Sequence, residues 1–203
     1  MIIESRAYKY ALWCSDPDNE YVGKYVKKQA EIWLDIADGK NPDIYVCQKR
    51  WKKITKLLKL MLHPDLTTPE KPVTMYEGLE DYAVFFVYAL FCTKCTNDDT
   101  RYYQTGLLEI ARKNFKTFTS AVIFIIGLLT EPKFSRFFSV APDLKLSSEL
   151  QLAIKKIIKS SPFLADDKIF KLLRKEIRCK LTDSEYTPLA YSNDKMDGKV
   201  IAR

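Results

Sequence analysis

The chain has 203 residues, 47% of them apolar and 13% aromatic, with only six glycines and nine prolines. That composition can build a real core, and it argues against a turn-rich all-β fold or a disordered chain. A formal net charge of +7 points to an acidic partner, nucleic acid first, although a merely solvated basic surface has the same composition. Five scattered cysteines (Cys14, Cys47, Cys92, Cys95, Cys179) fit neither a disulfide framework nor a complete zinc site. Cys92-Thr93-Lys94-Cys95 has C-x-x-C spacing but no second pair, and His63 is the one histidine, so it reads as the fraying end of a helix. No signal-peptide pattern opens the sequence. The apolar run 121–129 is too short to span a bilayer, and free thiols suit a reducing cytosol.

In chain order, residues 5–14 form a short amphipathic segment, broken at Asp16-Pro17-Asp18-Asn19, where Asn19 is a candidate cap for the next helix. Apolar residues at Val22, Tyr25, Val26, Trp33 and Ile36 give helical spacing over 21–38, which Gly39 ends. A third helix is expected over 44–62. Ile44, Cys47, Trp51, Ile54, Leu58 and Met61 make its apolar stripe, while Lys49, Arg50, Lys52, Lys53, Lys56 and Lys59 carry charge with no acid among them. Such a face can track a phosphate backbone or simply meet water. Residues 64–75, with Pro64, Pro69 and Pro72, read as a linker. Residues 77–92 read as a strongly apolar helix.

From there the rhythm changes. Residues 102–111 are strand-compatible, 117–129 form a long apolar helix, and 134–140 a second strand ended by Ala141-Pro142-Asp143. A helix follows over 147–159, then a short helix at 169–173. Two short strands, 176–181 and 186–191, are expected to pair across 182–185, and 193–199 form a polar turn. The sum is an α/β fold: a parallel sheet flanked by helices, preceded by an all-helical N-terminal arm. Its divisions are an arm at 1–63, a linker at 64–75 and an α/β domain at 76–203.

The chemistry concentrates in Leu107-Leu108-Glu109-Ile110-Ala111-Arg112-Lys113-Asn114-Phe115-Lys116-Thr117. An apolar run enters a basic turn that ends in Lys-Thr and opens a helix, which is the layout of a phosphate-binding loop. The helix N-terminus offers unpaired amides and the positive end of the helix dipole. Lys116 is expected along the β- and γ-phosphates of ATP, and Thr117 on Mg²⁺. The usual pattern, G-x-x-x-x-G-K-[ST], has glycines where Ile110 and Phe115 stand. A plain alternative is a buried strand, a surface turn with two lysines and a core helix.

Residues Leu108 to Thr117 resemble the ATP-binding loop of tailed-phage terminase large subunits, in which a strand precedes Ala-Arg-Lys-Asn-Gly-Lys-Ser/Thr. Phe137-Phe138-Ser139-Val140-Ala141-Pro142-Asp143 resembles that family's second strand and turn. Ser160-Ser161-Pro162-Phe163-Leu164 and Tyr186-Thr187-Pro188-Leu189-Ala190-Tyr191-Ser192, with Asp197-Gly198, resemble two later stretches in the same order. The resemblance covers about residues 78–199. It implies a P-loop NTPase-like parallel sheet, with 76–203 a partial P-loop ATPase domain, and an ATP-driven motor that packages viral double-stranded DNA into a capsid. Its partners would be DNA, the terminase small subunit and the portal protein, in an oligomeric ring at the procapsid in the host cytoplasm, with no membrane. By position, Arg112 would act in cis on the γ-phosphate, and Lys113 and Asn114 would line the turn with the Phe115 backbone. The glutamine that the family often sets on adenine is absent from the matching helix, Tyr82-Ala83-Val84-Phe85, where Tyr82 or a neighbour could stack on the base instead. The family's strand ending in Asp-Glu and its nuclease domain are not found in the 203 residues. The chain is therefore expected to stop before the Walker B strand, to bind nucleotide weakly and to hydrolyse it barely by itself. The competing expectations are a non-enzymatic basic helical module that binds nucleic acid and a subunit-interaction protein that packs through 77–129.

Overall fold

Helix α1 (Arg6–Ser15) opens the chain, and Ser5 caps it by accepting the Tyr8 amide. Helix α2 (Lys24–Ala37) starts after Gly23, so Asn19 is not its cap. The Asn19 side chain instead accepts the Tyr21 amide and donates to the Trp13 carbonyl, closing the turn between the helices. In the computed structural model, which describes residues 2–191, there follow β1 (Ile44–Val46), α3 (Gln48–Leu60), α4 (Met75–Gly78), α5 (Asp81–Cys92) and β2 (Thr93–Cys95). Then come α6 (Lys116–Thr130), β3 (Arg136–Ala141), α7 (Leu144–Ser160), β4 (Phe170–Leu172), β5 (Ile177–Cys179) and β6 (Ser184–Ala190). Asp197-Gly198 lies outside the described residues.

Two compact units emerge: residues 1–56 with 79–107, and residues 57–78 with 108 onward. The first is built on aromatic packing. Trp33, fully buried, meets Tyr8 and Phe85 edge-on, with ring centroids 6.4 and 5.3 Å away, and Trp51 stacks on Tyr88 at 3.8 Å. Helix α5 is apolar on nearly every side, so it can only be a core helix. Arg6 fixes its start by donating to Asp81 Oδ1 and the Leu79 carbonyl, each at 2.7 Å. The single helix expected over 77–92 is thus two, broken at Leu79-Glu80. The arm is also not all-helical. Ile44-Tyr45-Val46, β-branched and aromatic, pairs antiparallel with β2, and the helix begins four residues later than its apolar stripe suggests. Cys92 ends α5 and Cys95 ends β2, and all five cysteines are free.

The second unit lays α6 and α7 against a four-stranded sheet of order β3-β6-β5-β4. The β3–β6 pair is parallel, while β6–β5 and β5–β4 are antiparallel, so the sheet is mixed rather than parallel throughout. The short helix expected at 169–173 is β4. A five-residue helix is too short to offset its own nucleation; instead Phe170–Leu172 pairs with β5, and the Leu173 amide bonds the Glu176 carbonyl to turn the chain back. Pro188 is tolerated in β6 because β5 pairs only with Ser184 to Tyr186, leaving that side of β6 without a ladder from there on. On α6, Gly127 lets the Phe137 ring of β3 come close, since a Cβ would sit 2.9 Å from it.

Residues 102–111 form no strand. Arg101 makes an isolated bridge with Lys94, and 105–111 have no regular secondary structure and no ladder partner among the described residues. Their apolar content is right for a strand, but a strand also needs a neighbour's free edge. Residues 64–75 are not a slack connection. The bridge Leu62–Thr74 and the bonds from the His63 amide to the Val73 carbonyl and from the Met75 amide to the Met61 carbonyl close them into a loop. The described helices include none long and apolar enough to cross a membrane.

Candidate functional site

The turn before α6 is set by two left-handed residues. Lys113 has φ 68°, and Phe115, the helix N-cap, has φ 53° and ψ 22°. Left-handed backbone costs a residue with a Cβ about 1–2 kcal/mol, and glycine is the residue that avoids it. Phe115 thus holds a glycine's conformation at the position where the phosphate-loop pattern has one. The first α6 bond runs from the Thr119 amide to the Phe115 carbonyl at 2.8 Å. The amides of Lys116, Thr117 and Phe118 therefore precede the helix's own ladder, at the positive end of its dipole. Phe115 supplies no side-chain cap.

These residues border an open cleft of about 560 Å³. Arg112, Lys113, Phe115, Lys116 and Thr117 line it from the loop, and Glu149, Leu152, Ala153 and Lys156 from α7, with Asp65 from the 62–74 loop. Lys156 and Asp65 are ion-paired. Four basic side chains against two acidic ones make the cleft hospitable to anions. Of the residues expected at the loop, Arg112, Lys113, Phe115, Lys116 and Thr117 line this one cleft and are exposed. Asn114 is exposed in the same turn but does not line the cleft, and Tyr82 lies half-exposed on α5 of the other unit. Among the described residues, no cluster of three His, Cys, Asp or Glu side chains could hold a metal alone.

Sequence reasoning missed Asp65, Glu149 and Lys156. The last two stand with Leu152 and Ala153 at i, i+3, i+4 and i+7, one face of α7, and that spacing was the available signal. Asp65 had none, because its loop is shaped by long-range bonds. Behind the cleft sits His63, 4% exposed, its ring centroid 4.6 Å from that of Phe118. Its Nδ1 accepts the Asp65 amide at 3.3 Å, which requires an unprotonated Nδ1. Burial pushes the imidazole below its ordinary value, against the opposing pull of Asp65.

A polar seam holds α7 on the sheet. Asp143 caps the helix by accepting the Leu146 amide at 2.8 Å. Ser139 Oγ lies 2.9 Å from Ser147 Oγ and 2.6 Å from the Tyr186 hydroxyl, and Ser147 Oγ accepts the Leu189 amide at 3.0 Å. Burial pushes the Tyr186 phenol up to about 12, so it stays neutral within the seam. The seam joins Ser139 of the 137–143 segment to the strand at 186–190, two stretches the sequence singled out, and so fixes the α7 face that lines the cleft.

Comparison with known proteins follows this geometry. The family model described as "Terminase large subunit, ATPase domain" matches residues 81–201, more than half of the chain. Among solved structures, the crystal structure of the HK97 bacteriophage large terminase is similar in fold. It is 18% identical, with a TM-score of 0.54 over 76% of this chain and 29% of that one. The chain thus spans less than a third of that protein's length. A comparison with curated proteins gives no match. With its mixed α/β architecture and a family model that covers residues 81–201, the chain belongs to the terminase large subunit ATPase domain family.

Proposed function

We propose that the turn 110–117 binds the phosphates of ATP with Mg²⁺, as part of a terminase large subunit motor that packages viral double-stranded DNA into the capsid. The observation that carries this reading is the left-handed Phe115 ahead of three helix-terminal amides, within the stretch whose sequence resembles the family's ATP-binding loop. Lys116 would neutralise phosphate charge, Arg112 would reach the γ-phosphate, and the Thr117 hydroxyl would hold Mg²⁺. Mg²⁺ keeps waters and phosphate oxygens among its ligands, so a site with few protein donors suits it. Bound there, Mg²⁺·ATP would supply the phosphoryl transfer that drives the motor. Lys113 and the backbone of Phe115 would shape the turn, and Asn114 would support it from outside the cleft. Tyr82 is proposed to stack on the base in place of the family's adenine-contacting glutamine, which the helix at 81–92 lacks. Leu108 and Ile110 are half-buried while Leu107 and Glu109 are exposed. We take 107–111 as the partly buried lead-in to the loop; it joins no ladder among the described residues. The division into an arm at 1–63, a linker and an ATPase domain from 76, the ring, and the partnership with small subunit and portal protein at the procapsid in the host cytoplasm belong to the same proposal.

Titration of the 203-residue chain with a fluorescent ATP analogue and Mg²⁺ tests it. Lys116→Ala is expected to weaken binding at least tenfold, and Lys113→Ala to matter less. Equal affinity of wild type and Lys116→Ala would overturn the assignment.

A further inference from the structure

Helix α3 carries the strongest unabsorbed charge feature of the chain. Lys49, Lys52, Lys53 and Lys56 fall at i, i+3, i+4 and i+7, so they form one stripe, and all four are exposed. The opposite face is core: Trp51 is 8% exposed and Ile54 fully buried. The helix contains no acidic residue. None of the four lysines is ion-paired among the described residues. Elsewhere in the same unit exposed lysines do find carboxylates, as Lys40 does with Asp35. Four like charges held along one turn-by-turn stripe repel one another, and a polyanion relieves that repulsion.

From this stripe we infer that α3 is a contact surface for the phosphate backbone of duplex DNA, read without regard to sequence. The partner's identity rests on the packaging reading; the surface does not depend on the phosphate loop. From Lys49 to Lys56 the helix rises about 10 Å, and a DNA strand offers a phosphate every 3.4 Å or so of axis. The stripe therefore spans about three successive phosphates of one strand. Lysine is a point charge on a flexible stem, without the fork that reads base edges. Single strands are gripped by stacking bases on exposed rings. Here the one aromatic residue of α3, Trp51, is buried and stacked on Tyr88, which favours duplex over single strand. A motor that draws in a whole genome needs a grip of this kind.

The test is fluorescence anisotropy of a labelled 30-base-pair duplex titrated with the full 203-residue chain at several salt concentrations. Four lysine contacts predict a log–log salt slope of about −3 to −4. Changing all four lysines to Gln should remove most of that slope and lower affinity about tenfold or more in low salt. The fourfold Arg variant should retain both, and two duplexes of unrelated sequence should bind alike. Lys116→Ala should bind the duplex as wild type does while losing the nucleotide analogue, so failure of either inference leaves the other readable. Should the fourfold Gln chain not fold by circular dichroism, single Lys→Gln changes are each expected to reduce the slope by about 1. An unchanged slope in the Gln variants, tighter binding to a single strand of the same length, or no binding by wild type in low salt would overturn the inference.

Discussion

Phe115 offers the sharpest perturbation. It stands at φ 53°, ψ 22° with its side chain 54% exposed. Replacement by Ala and by Gly removes the same ring, so the comparison between the two variants isolates the backbone. Alanine keeps the Cβ and the left-handed penalty of about 1–2 kcal/mol. Glycine sheds that penalty but loses about 0.4–1 kcal/mol through the greater freedom of its unfolded chain. Phe115→Gly should therefore be more stable than Phe115→Ala by about 0.5–1 kcal/mol, or roughly 1–4 °C in melting temperature for a chain of this size. The Gly variant should also bind Mg²⁺ and the ATP analogue several-fold more tightly than the Ala variant, because no Cβ stands between its amide and a phosphate. Thermal melts and fluorescence titrations of the two variants side by side are the assay. If Ala proves as stable as Gly, the left-handed turn is refuted; if Gly is more stable but binds no better, the loop does not wrap phosphate.

Other parts of the second unit and the thiols give further tests. Because the folded His63 imidazole is held below its ordinary value, the unfolded chain takes up the proton first as pH falls below about 6.5. His63 therefore adds stability at neutral pH that is lost on acidification from there toward its lowered folded value. Urea unfolding at pH 7.5 and 5.5 should show the loss, and His63→Asn should remove most of the difference; stability that rises on acidification would contradict it. Ser161, fully buried, accepts the Leu62 amide at 2.9 Å and donates to the Ile157 carbonyl at 2.8 Å. Ser161→Ala strands that amide and should cost about 1–3 kcal/mol, whereas a loss below about 0.5 kcal/mol would mean another acceptor takes over. Cys14, Cys92 and Cys179 are buried, and burial pushes the Cys14 and Cys92 thiols up. A thiol reagent should thus label only Cys47 and Cys95 in the folded chain, and rapid labelling of all five would contradict the packing.

Much of this was legible because it is local. The apolar spacing that yields α1, α2, α6 and α7, and the pairing of β5 with β6 across a short turn, depend on neighbours within a few residues. What escaped depends on distant partners. Ile44-Tyr45-Val46 follows a helical apolar stripe and becomes a strand only because Thr93-Lys94-Cys95 lies beside it. Residues 102–111 have strand composition and no ladder partner among the described residues. Residues 169–173 have helical composition and form a hairpin instead. At the site, the loop was found through Lys116 and Thr117. The left-handed turn at Phe115 was invisible, since no glycine marks it, and Asp65 reaches the cleft from a segment whose prolines look like a linker.

Amide spectra of the ¹⁵N-labelled chain, followed as Mg²⁺ and a non-hydrolysable ATP analogue are added, would test the central claim most directly. The largest shifts are expected on the backbone signals of Phe115, Lys116, Thr117 and Phe118, and they should vanish in Lys116→Ala. Saturable shifts confined to other residues, with those four unmoved, would contradict it.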